Sequence, residues 1–394
     1  FCYRNVAESV SKEKVALLYG NPAYSSVSRL EKYSSCPFAY YVQYGLGARE
    51  RKIYRLKPPD VGTFMHGVIE RFSLCVAEQD LSWRTLDLDW CKEKVSEIVD
   101  DMLSEMRGSG IAGSKRYTAL ALRLKRVVTR AVWLIVEHVR RGSFEPVAYE
   151  VDFKEGGAFP PITIELPGGE KVLLTGRIDR VDALKTEEGT YLRIIDYKSG
   201  TKDFKLSDVA YGLQLQLVTY LDAIWEQGGM GITPPVLPGG MLYFPIDDPI
   251  VAGTPETTEE EIERAIMKQL RMKGLLLADV RLIREMDREI DGASLIIPAR
   301  INKGDVLGQS SAATLEQLNL LRNHVRRLLE GLCREIMQGN VAIKPYKKKG
   351  TTSCKHCSFS PICQFDTERK ENTFRQLKEM KDSEIWEKLV SGTT

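Results

Sequence analysis

Hydrophobic residues recur every three to four positions in several long stretches of the chain, as they do on the buried side of an amphipathic helix. The clearest example runs from Gly62 to Phe72. The same spacing predicts further helices over residues 28–40, 88–106, 117–141, 209–227, 257–276, 279–290 and 313–338. Ser28 and Glu31 have the spacing of a capping box, so the first of these helices is expected to begin near residue 28.

Shorter segments have the alternating or continuously apolar character of β-strands and are separated by Gly, Pro and Glu clusters. They are residues 147–153, 162–166, 172–184, 190–197 and 241–246. Pro234-Pro235 and Pro238-Gly239-Gly240 predict a loop before the last strand. This mixture predicts an α/β domain over residues 26–370, with a helical insertion at 67–145. Residues 1–25 are interpreted as the end of a preceding region or as a linker, and residues 371–394 as a C-terminal helical tail.

The charge of the chain is nearly balanced, at +2 over 394 residues. A protein that binds nucleic acid on its own usually has a stronger basic bias, so local patches or another subunit would have to attract DNA. Lys347–Lys349 and Arg322–Arg327 are candidate patches, and solvated surface is the alternative for each. No run approaches the roughly 20 apolar residues that span a bilayer, and residues 1–20 contain no signal peptide. We therefore expect no membrane association, and the start at Phe1 suggests a processed or excised piece.

Two aspartates and a lysine on neighbouring predicted strands carry the strongest chemical signal. Asp179 lies in one strand, and Asp196 and Lys198 lie in the next. A hairpin that turns at Glu187-Glu188 would place the two carboxylates opposite each other, about 5 Å apart at Cβ, with Lys198 on the face of Asp196. Such carboxylates repel unless a cation lies between them, and Mg²⁺ or Mn²⁺ prefers their oxygens. A lysine beside that ion could stabilise charge on a phosphate. The alternative is a surface hairpin with solvated charges, which the apolar neighbours of both aspartates disfavour.

Three late cysteines form a second candidate site. Cys354, Cys357 and Cys363 have the spacing of a metal or cluster site rather than of a disulfide. Three thiolates leave a tetrahedral or cubane site one ligand short. Cys36 and His356 are the candidates for the fourth ligand. Zinc with three cysteines and a histidine is the alternative to an iron–sulfur cluster.

The acidic motifs resemble those of the PD-(D/E)xK nucleases, which have a restriction-endonuclease-like core sheet flanked by helices. The match is closer to the RecB-type nuclease family, in the sequences Gly176–Asp182 and Ile194–Gly200. That resemblance implies a divalent metal held by Asp179, Asp196, an upstream histidine (His66) and the backbone carbonyl of Tyr197, with Lys198 as the catalytic lysine. It also implies that the Gln216–Tyr220 motif positions the DNA strand or the lysine.

The phrase around Cys36, from Ser28 to Tyr40, and the late cysteines are similar to the iron–sulfur-stapled nuclease domains of the AddB subunits of bacterial AddAB helicase–nucleases. The resemblance covers about residues 25–394. It implies that Cys36, Cys354, Cys357 and Cys363 hold a structural [4Fe–4S] cluster that joins the two ends of the domain.

The same resemblance implies a function and a partner. The chain would be a metal-dependent DNA exonuclease domain, paired with an AddA-type helicase subunit in the bacterial cytoplasm. The complex would resect double-strand breaks for recombinational repair, with this domain cutting the 5′-ended strand. A phosphate-binding Gly-x4-Gly-Lys-Ser/Thr loop is missing, so the chain itself is not the ATPase. The alternatives are another stapled RecB-type nuclease, such as a CRISPR-associated or replication nuclease, and a non-catalytic DNA-binding module.

Overall fold

The computed structural model describes residues 4–7, 9–49, 58–105, 115–200, 202–229 and 231–392. Its centre is an eight-stranded sheet with the order β1-β4-β5-β6-β7-β11, in which β2 and β3 also pair with β4. The strands are β1 (Ala23–Ser26), β2 (Glu145–Phe153), β3 (Ile162–Glu165), β4 (Lys171–Lys185), β5 (Thr190–Lys198), β6 (Val236–Pro245), β7 (Lys273–Leu277) and β11 (Ala312–Ala313). The α/β fold predicted from the pattern, a core sheet flanked by helices, is confirmed.

The β4–β5 hairpin has the predicted register. Arg180 pairs with Ile195 and Lys185 pairs with Thr190, so the turn is centred between Glu187 and Glu188. Continued by one position beyond the last pair, Arg180 with Ile195, this register sets Asp179 opposite Asp196, as the sequence predicted.

One edge of β4 divides between two partners. β1 pairs in parallel with residues 172–175, and β5 pairs antiparallel with residues 180–185. Among the described residues, positions 176–179 therefore have no strand partner on this edge, and we call them the β4 fork. The other edge of β4 pairs with β3 at residues 171–174 and with β2 at residues 176–183. This pairing keeps β4 a single long strand past the fork.

Helices cover both faces of the sheet. On one face, His138 packs against Phe244, the neighbour of Tyr197 across the β5–β6 pair. Because side chains alternate along a strand, Asp196 points to the opposite face, where Gln216 reaches it. The larger helices are α4 (Pro58–Glu78), α5 (Leu88–Glu105), α6 (Lys115–Arg141), α8 (Gln216–Gln227), α9 (Glu259–Gln269) and α11 (Leu315–Met337). The stripe predicted on α4 is buried, since Val68, Ile69 and Phe72 are fully inaccessible.

Shorter elements complete the two ends of the chain. At the N-terminal end these are α1 (Lys12–Tyr19), α2 (Val27–Ser35), α3 (Pro37–Tyr40) and a π-helical turn (Tyr41–Gly45). Elsewhere they are α7 (Leu206–Ala210), α10 (Val280–Met286), β8 (Gly292–Ala293), β9 (Arg300–Asn302), β10 (Val306–Leu307), β12 (Tyr346–Lys348), β13 (Thr351–Thr352), α12 (Ser360–Cys363), β14 (Arg375–Gln376) and α13 (Asp382–Ser391). The tail beyond residue 371 adds β14 beside β12 and packs α13 against α11. The predicted insertion boundary at residue 67 falls inside α4.

Two helix predictions are wrong in their continuity. The first helix stops at Ser35, where Cys36 adopts an extended backbone (φ −167°, ψ 114°), and its N-cap is Ser26 rather than Ser28. The segment predicted as one helix over 209–227 is divided by a turn at 211–215. Gly212, at φ +75°, makes this turn, a conformation that glycine adopts without steric cost.

Two further segments form strands where the sequence predicted a loop and a helix. Pro238-Gly239-Gly240 lies inside β6, where the pairing with β5 shifts between Leu192 and Arg193. Such a bulge accommodates proline and glycine within a strand. Residues 273–277 form β7 rather than the end of a helix, because a short buried apolar run is compatible with either structure. Among the helices that the structure describes, none has the length and apolar character needed to span a lipid bilayer.

Candidate active site and cysteine site

Three neighbouring strands each contribute one carboxylate to the centre of the sheet. Tyr149 pairs with Arg180 and Val151 pairs with Ile178, so Glu150 of β2 occupies the position facing Asp179 of β4. Asp196 of β5 lies on the other side of Asp179, one position beyond the last β4–β5 pair. Asp179 and Asp196 are only 8% and 3% exposed. The sheet thus aligns three carboxylates in a row, of which the sequence had predicted two.

The Asp179 side chain belongs to the β4 fork. Its Oδ2 accepts a hydrogen bond of 2.5 Å from the backbone N–H of Tyr197. Its Oδ1 lies 3.5 Å from Nδ1 of His66, which α4 brings to the site. The His66 ring also stands edge-on to the Tyr197 ring, with centroids 5.7 Å apart. Asp179 is therefore fixed on one side by β5 and on the other by α4.

His66, Glu150 and Asp179 form a candidate metal site. One ligand atom from each lies within 4.8 Å of the other two. In the described part of the chain, no other set of three histidine, cysteine, aspartate or glutamate residues meets that limit. A neutral imidazole and two carboxylates are a donor set that Mg²⁺ or Mn²⁺ accepts. The sequence interpretation missed Glu150, because only the pairing of β2 with β4 reveals its position.

Asp196 has different partners, although it faces the same centre. It forms an ion pair with Lys198, two residues further along β5. Its Oδ1 accepts a hydrogen bond of 2.8 Å from Nε2 of Gln216, the first residue of α8. The structure therefore brings Asp196, Lys198 and Gln216 together on one face of the sheet, as predicted for the lysine and its aspartate.

Tyr220 contacts the backbone of β4 near Asp179. Its hydroxyl accepts a hydrogen bond of 3.3 Å from the backbone N–H of Arg177, and its ring stacks on Phe153 at 5.6 Å. A Cβ on Gly176 would lie 2.2 Å from that hydroxyl, so glycine is required there. Tyr220 thus occupies the β4 fork and supports the strand that carries Asp179. Tyr197 itself is buried, with its side chain between His66 and Phe244.

The electrostatics of the site reflect its excess of buried negative charge. Burial and the neighbouring Asp179 and Glu70 raise the pKa of Glu150 to about 7, although Arg177 opposes them. Burial and Asp179 likewise raise the pKa of Asp196 to about 6, against the effect of Lys198. Such shifts are the response of crowded carboxylates, and a divalent cation between them would relieve the repulsion.

A cleft of about 790 Å³ opens onto these groups. Its wall includes His66, Glu150, Asp179, Lys198 and Lys202. The Lys202 ammonium lies 4.8 Å from the centre of the Tyr243 ring, which Lys198 also approaches at 5.6 Å. The cleft therefore combines the acidic centre with two lysines suited to binding a phosphate.

The four predicted cysteines converge at a second site, in a small pocket between the two ends of the chain. Cys36 enters it from the break between α2 and α3. Cys354 and Cys357 come from a short 3₁₀ turn (Ser353–His356) and the residue after it, and Cys363 ends α12. Phe38, Phe359, Phe365, Ile343 and Pro345 also line this pocket.

His356 is exposed and does not line the pocket, which leaves Cys36 as the fourth thiol. None of the four cysteines forms a disulfide. Burial, followed by the charges of the other three cysteines, raises the pKa of Cys354 to about 11.

Comparison with known proteins agrees with this arrangement. The sequence profile of the PD-(D/E)XK nuclease superfamily matches residues 24–364, and the chain belongs to that superfamily. Over 98% of its length it is 72% identical to a protein of Acetivibrio thermocellus, 65% to one of Ruminiclostridium cellulolyticum and 52% to one of Clostridium novyi. Each is named as the B-type subunit of an ATP-dependent helicase/deoxyribonuclease, and the chain covers 34%, 33% and 34% of their lengths respectively. The chain thus spans about a third of these curated relatives, and the predicted family resemblance is confirmed.

Proposed function

We propose that the chain is a divalent-metal-dependent deoxyribonuclease domain that hydrolyses DNA phosphodiester bonds. The main support is the row of Glu150, Asp179 and Asp196, in which Glu150 and Asp179 line an open cleft together with Lys198, the ion-pair partner of the buried Asp196. Carboxylates alone would repel a phosphate, whereas carboxylates around a cation, with a lysine beside them, attract it. The superfamily membership supports the same reaction class.

Each group has a separate task in this proposal. His66, Glu150 and Asp179 would hold Mg²⁺ or Mn²⁺, with the Tyr197 carbonyl as a further ligand, and the ion when bound would supply Lewis-acid polarisation of the phosphate. Lys198 would bind a phosphate oxygen and stabilise the charge that develops as water attacks phosphorus and one P–O ester bond breaks. Asp196 orients Lys198, and Gln216 orients Asp196. Tyr220 supports the strand of Asp179.

The substrate and partner follow from the relatives' name. We infer that the chain acts on DNA as part of a helicase–nuclease complex with an AddA-type subunit. There it would resect double-strand breaks for recombinational repair in the bacterial cytoplasm, with the 5′-ended strand as its target. Oligonucleotides labelled at either end, supplied to the assembled complex, test the polarity. Preferential loss of the 3′-ended strand would contradict it.

A nuclease assay on single-stranded DNA with Mg²⁺ or Mn²⁺ tests the proposed reaction. Glu150→Gln and Asp196→Asn should each lower kcat by about a hundred- to a thousandfold, since charge at the reacting centre is worth that much. Glu187→Gln is the matched control, because this carboxylate lies exposed in the turn of the same hairpin. Equal degradation by wild type and Asp196→Asn would mean that the activity has another source.

We also propose that Cys36, Cys354, Cys357 and Cys363 hold a [4Fe–4S] cluster. Four cysteines that line one pocket supply the ligand set of such a cluster, whereas the exposed His356 lies outside the pocket and does not complete a zinc site of three cysteines and a histidine. Hydrolysis needs no electron transfer, so the cluster would act structurally, by closing a loop of more than 300 residues. Residues 36 and 363 mark the ends of that loop.

The colour and metal content of the purified chain decide between cluster and zinc. We expect a brown protein with broad visible absorbance and about four irons per chain. Cys363→Ala should lose the absorbance and lower both the melting temperature and DNA binding. A colourless wild type with one zinc per chain, or an unchanged Cys363→Ala protein, would refute the cluster.

A further inference from the structure

Helix α2 touches the start of α8 through Glu31. The Glu31 carboxylate oxygen Oε1 accepts hydrogen bonds from the backbone N–H groups of Leu215, at 2.6 Å, and of Gln216, at 3.1 Å. The first N–H groups of a helix have no partner within it, and a negative charge near them is favourable. Leu215, the N-cap residue of α8, supplies no side-chain cap. Glu31 therefore caps α8 from a distant part of the chain.

A second contact joins α2 to the turn that precedes α8. The Ser34 hydroxyl donates a hydrogen bond of 2.9 Å to the carbonyl of Tyr211. A Cβ on Gly212 would lie 2.7 Å from that hydroxyl, so the turn approaches α2 closely. Glu31 and Ser34 are three residues apart and share one face of α2. This face holds both ends of the 211–215 turn.

The residue that receives the cap also makes a contact in the proposed active site. Gln216 begins α8, and its side chain donates the 2.8 Å hydrogen bond to Asp196. Asp196 in turn pairs with Lys198. If the first turn of α8 frays, Gln216 leaves Asp196, and the lysine loses part of its support.

The other end of α2 leads into the cysteine pocket. The helix ends at Ser35, and the next residue is Cys36. Arg375, from the chain end beside that pocket, donates a hydrogen bond to the carbonyl of Ser34. A single short helix thus leads into a cysteine-site residue at its end and carries the residue that caps α8 about one and a half turns earlier.

We infer that Glu31 is a positioning residue, which holds Gln216 against Asp196, and that α2 makes this contact depend on the cysteine site. The inference rests on the proposed function, because it assigns Asp196 and Lys198 to the reaction. Glu31 itself does not touch the substrate. A structural cap without this role would stabilise the fold but would leave the geometry of Asp196 unchanged.

Hydrogen exchange on the full chain tests the cap directly. In Glu31→Ala, the amides of residues 213–220 should exchange about five- to tenfold faster, the factor that corresponds to a lost helix cap, while α6 and β6 keep their rates. Glu31→Gln should stay close to wild type, because its amide oxygen accepts the same hydrogen bonds. Ser28→Ala, on the exposed side of α2, is the matched control. Unchanged exchange at 213–220, or uniformly faster exchange over the whole chain, would overturn the inference.

Kinetics separate positioning from simple stabilisation. Glu31→Ala and Gln216→Ala should each lower kcat about five- to tenfold with little change in KM, and the double variant should be no slower than the slower single one, since both act on one contact. Multiplied effects on kcat would overturn the link between Glu31 and Gln216. Hydrogen exchange can be measured whether or not the protein hydrolyses DNA. An inactive wild type would therefore refute the proposed function, while the exchange rates would still show whether Glu31 caps α8.

The dependence on the cysteine site has its own test. Cys36→Ser should accelerate exchange at residues 213–220 in the same pattern as Glu31→Ala. Cys75→Ser is the control, because this half-exposed cysteine lies on α4 and outside the pocket. Wild-type exchange at 213–220 in Cys36→Ser would refute this dependence.

Discussion

Asp182 neutralises two arginines that are buried under the central hairpin, and its loss should be among the most damaging single changes in the chain. Its Oδ1 lies 2.9 Å from Nε of Arg180, and its Oδ2 lies 2.8 Å from Nε of Arg193. All three side chains are 0% exposed. Asp182→Asn keeps the shape of the side chain and removes its charge, so the perturbation is almost purely electrostatic.

Removing one partner of a buried ion pair costs about 3–5 kcal/mol. Here one carboxylate serves two cations, so we expect the free energy of unfolding to fall by about 4–5 kcal/mol, at the upper end of that range. The Phe144 ring, 4.8 Å from the Arg193 guanidinium, remains in the variant and offsets only a part of this cost. Urea unfolding of the full chain measures the change as a shift of the midpoint at constant slope.

The matched control is Asp305→Asn, which breaks an exposed ion pair with Arg284. Exposed pairs contribute about 0–1 kcal/mol, so this variant should unfold nearly as the wild type does. An Asp182→Asn protein within about 1 kcal/mol of wild type would refute the reasoning, because the arginines would then have found other compensation.

Three further predictions concern two residues of the cleft and one buried histidine of α6. His66→Ala should weaken Mn²⁺ binding by at least about tenfold, because even residues that only hydrogen-bond to a metal ligand contribute that much to affinity. Equal Mn²⁺ affinity of wild type and variant in a calorimetric titration would argue against His66 as a ligand. Lys202→Ala should raise KM for DNA and leave kcat within about twofold, as expected for a phosphate contact that is equal in ground and transition states; a fall in kcat at constant KM would instead assign Lys202 to the reaction. Burial and the charges of Arg180, Arg193 and Arg141 lower the pKa of His138 well below its usual value. The unfolded chain therefore binds the extra proton, and the free energy of unfolding should fall below about pH 6.5 by up to about 1.4 kcal/mol per pH unit from this residue. His138→Gln should remove that part of the slope between about pH 6.5 and 5, and an unchanged slope would contradict it.

The parts of the site that could be predicted from the sequence depend on local pattern. A hairpin with a short turn and buried faces has only one favourable register, so the turn at Glu187-Glu188 was enough to place Asp179 opposite Asp196. The apolar stripe of α4 likewise fixed the side of the helix on which His66 lies. Cysteine spacing limited the fourth ligand to two candidates, and only the fold favoured Cys36 over the exposed His356.

The parts that escaped prediction depend on contacts between distant segments. Glu150 looks like an ordinary strand residue until β2 pairs with β4 and sets it beside Asp179. The break between α7 and α8 is hidden for the same reason, because the helical period continues through it. Its hydrogen-bonding groups are satisfied by Glu31 and Ser34, which lie far away in sequence. Helix propensity is a property of each residue and its sequence neighbours, so it gives no sign of hydrogen-bond partners that are distant in sequence.

The β4 fork has a practical consequence for making an inactive protein. Two side chains take the place of the missing strand partner at the fork. Asp179 accepts a hydrogen bond from the backbone N–H of Tyr197, and the Tyr220 hydroxyl accepts one from the backbone N–H of Arg177. Replacing either one should cost both function and folding, so loss of activity there would be hard to interpret. Glu150 and Lys198 line the cleft without bridging the fork. They are therefore the better positions for trapping a DNA complex with an intact but silent domain.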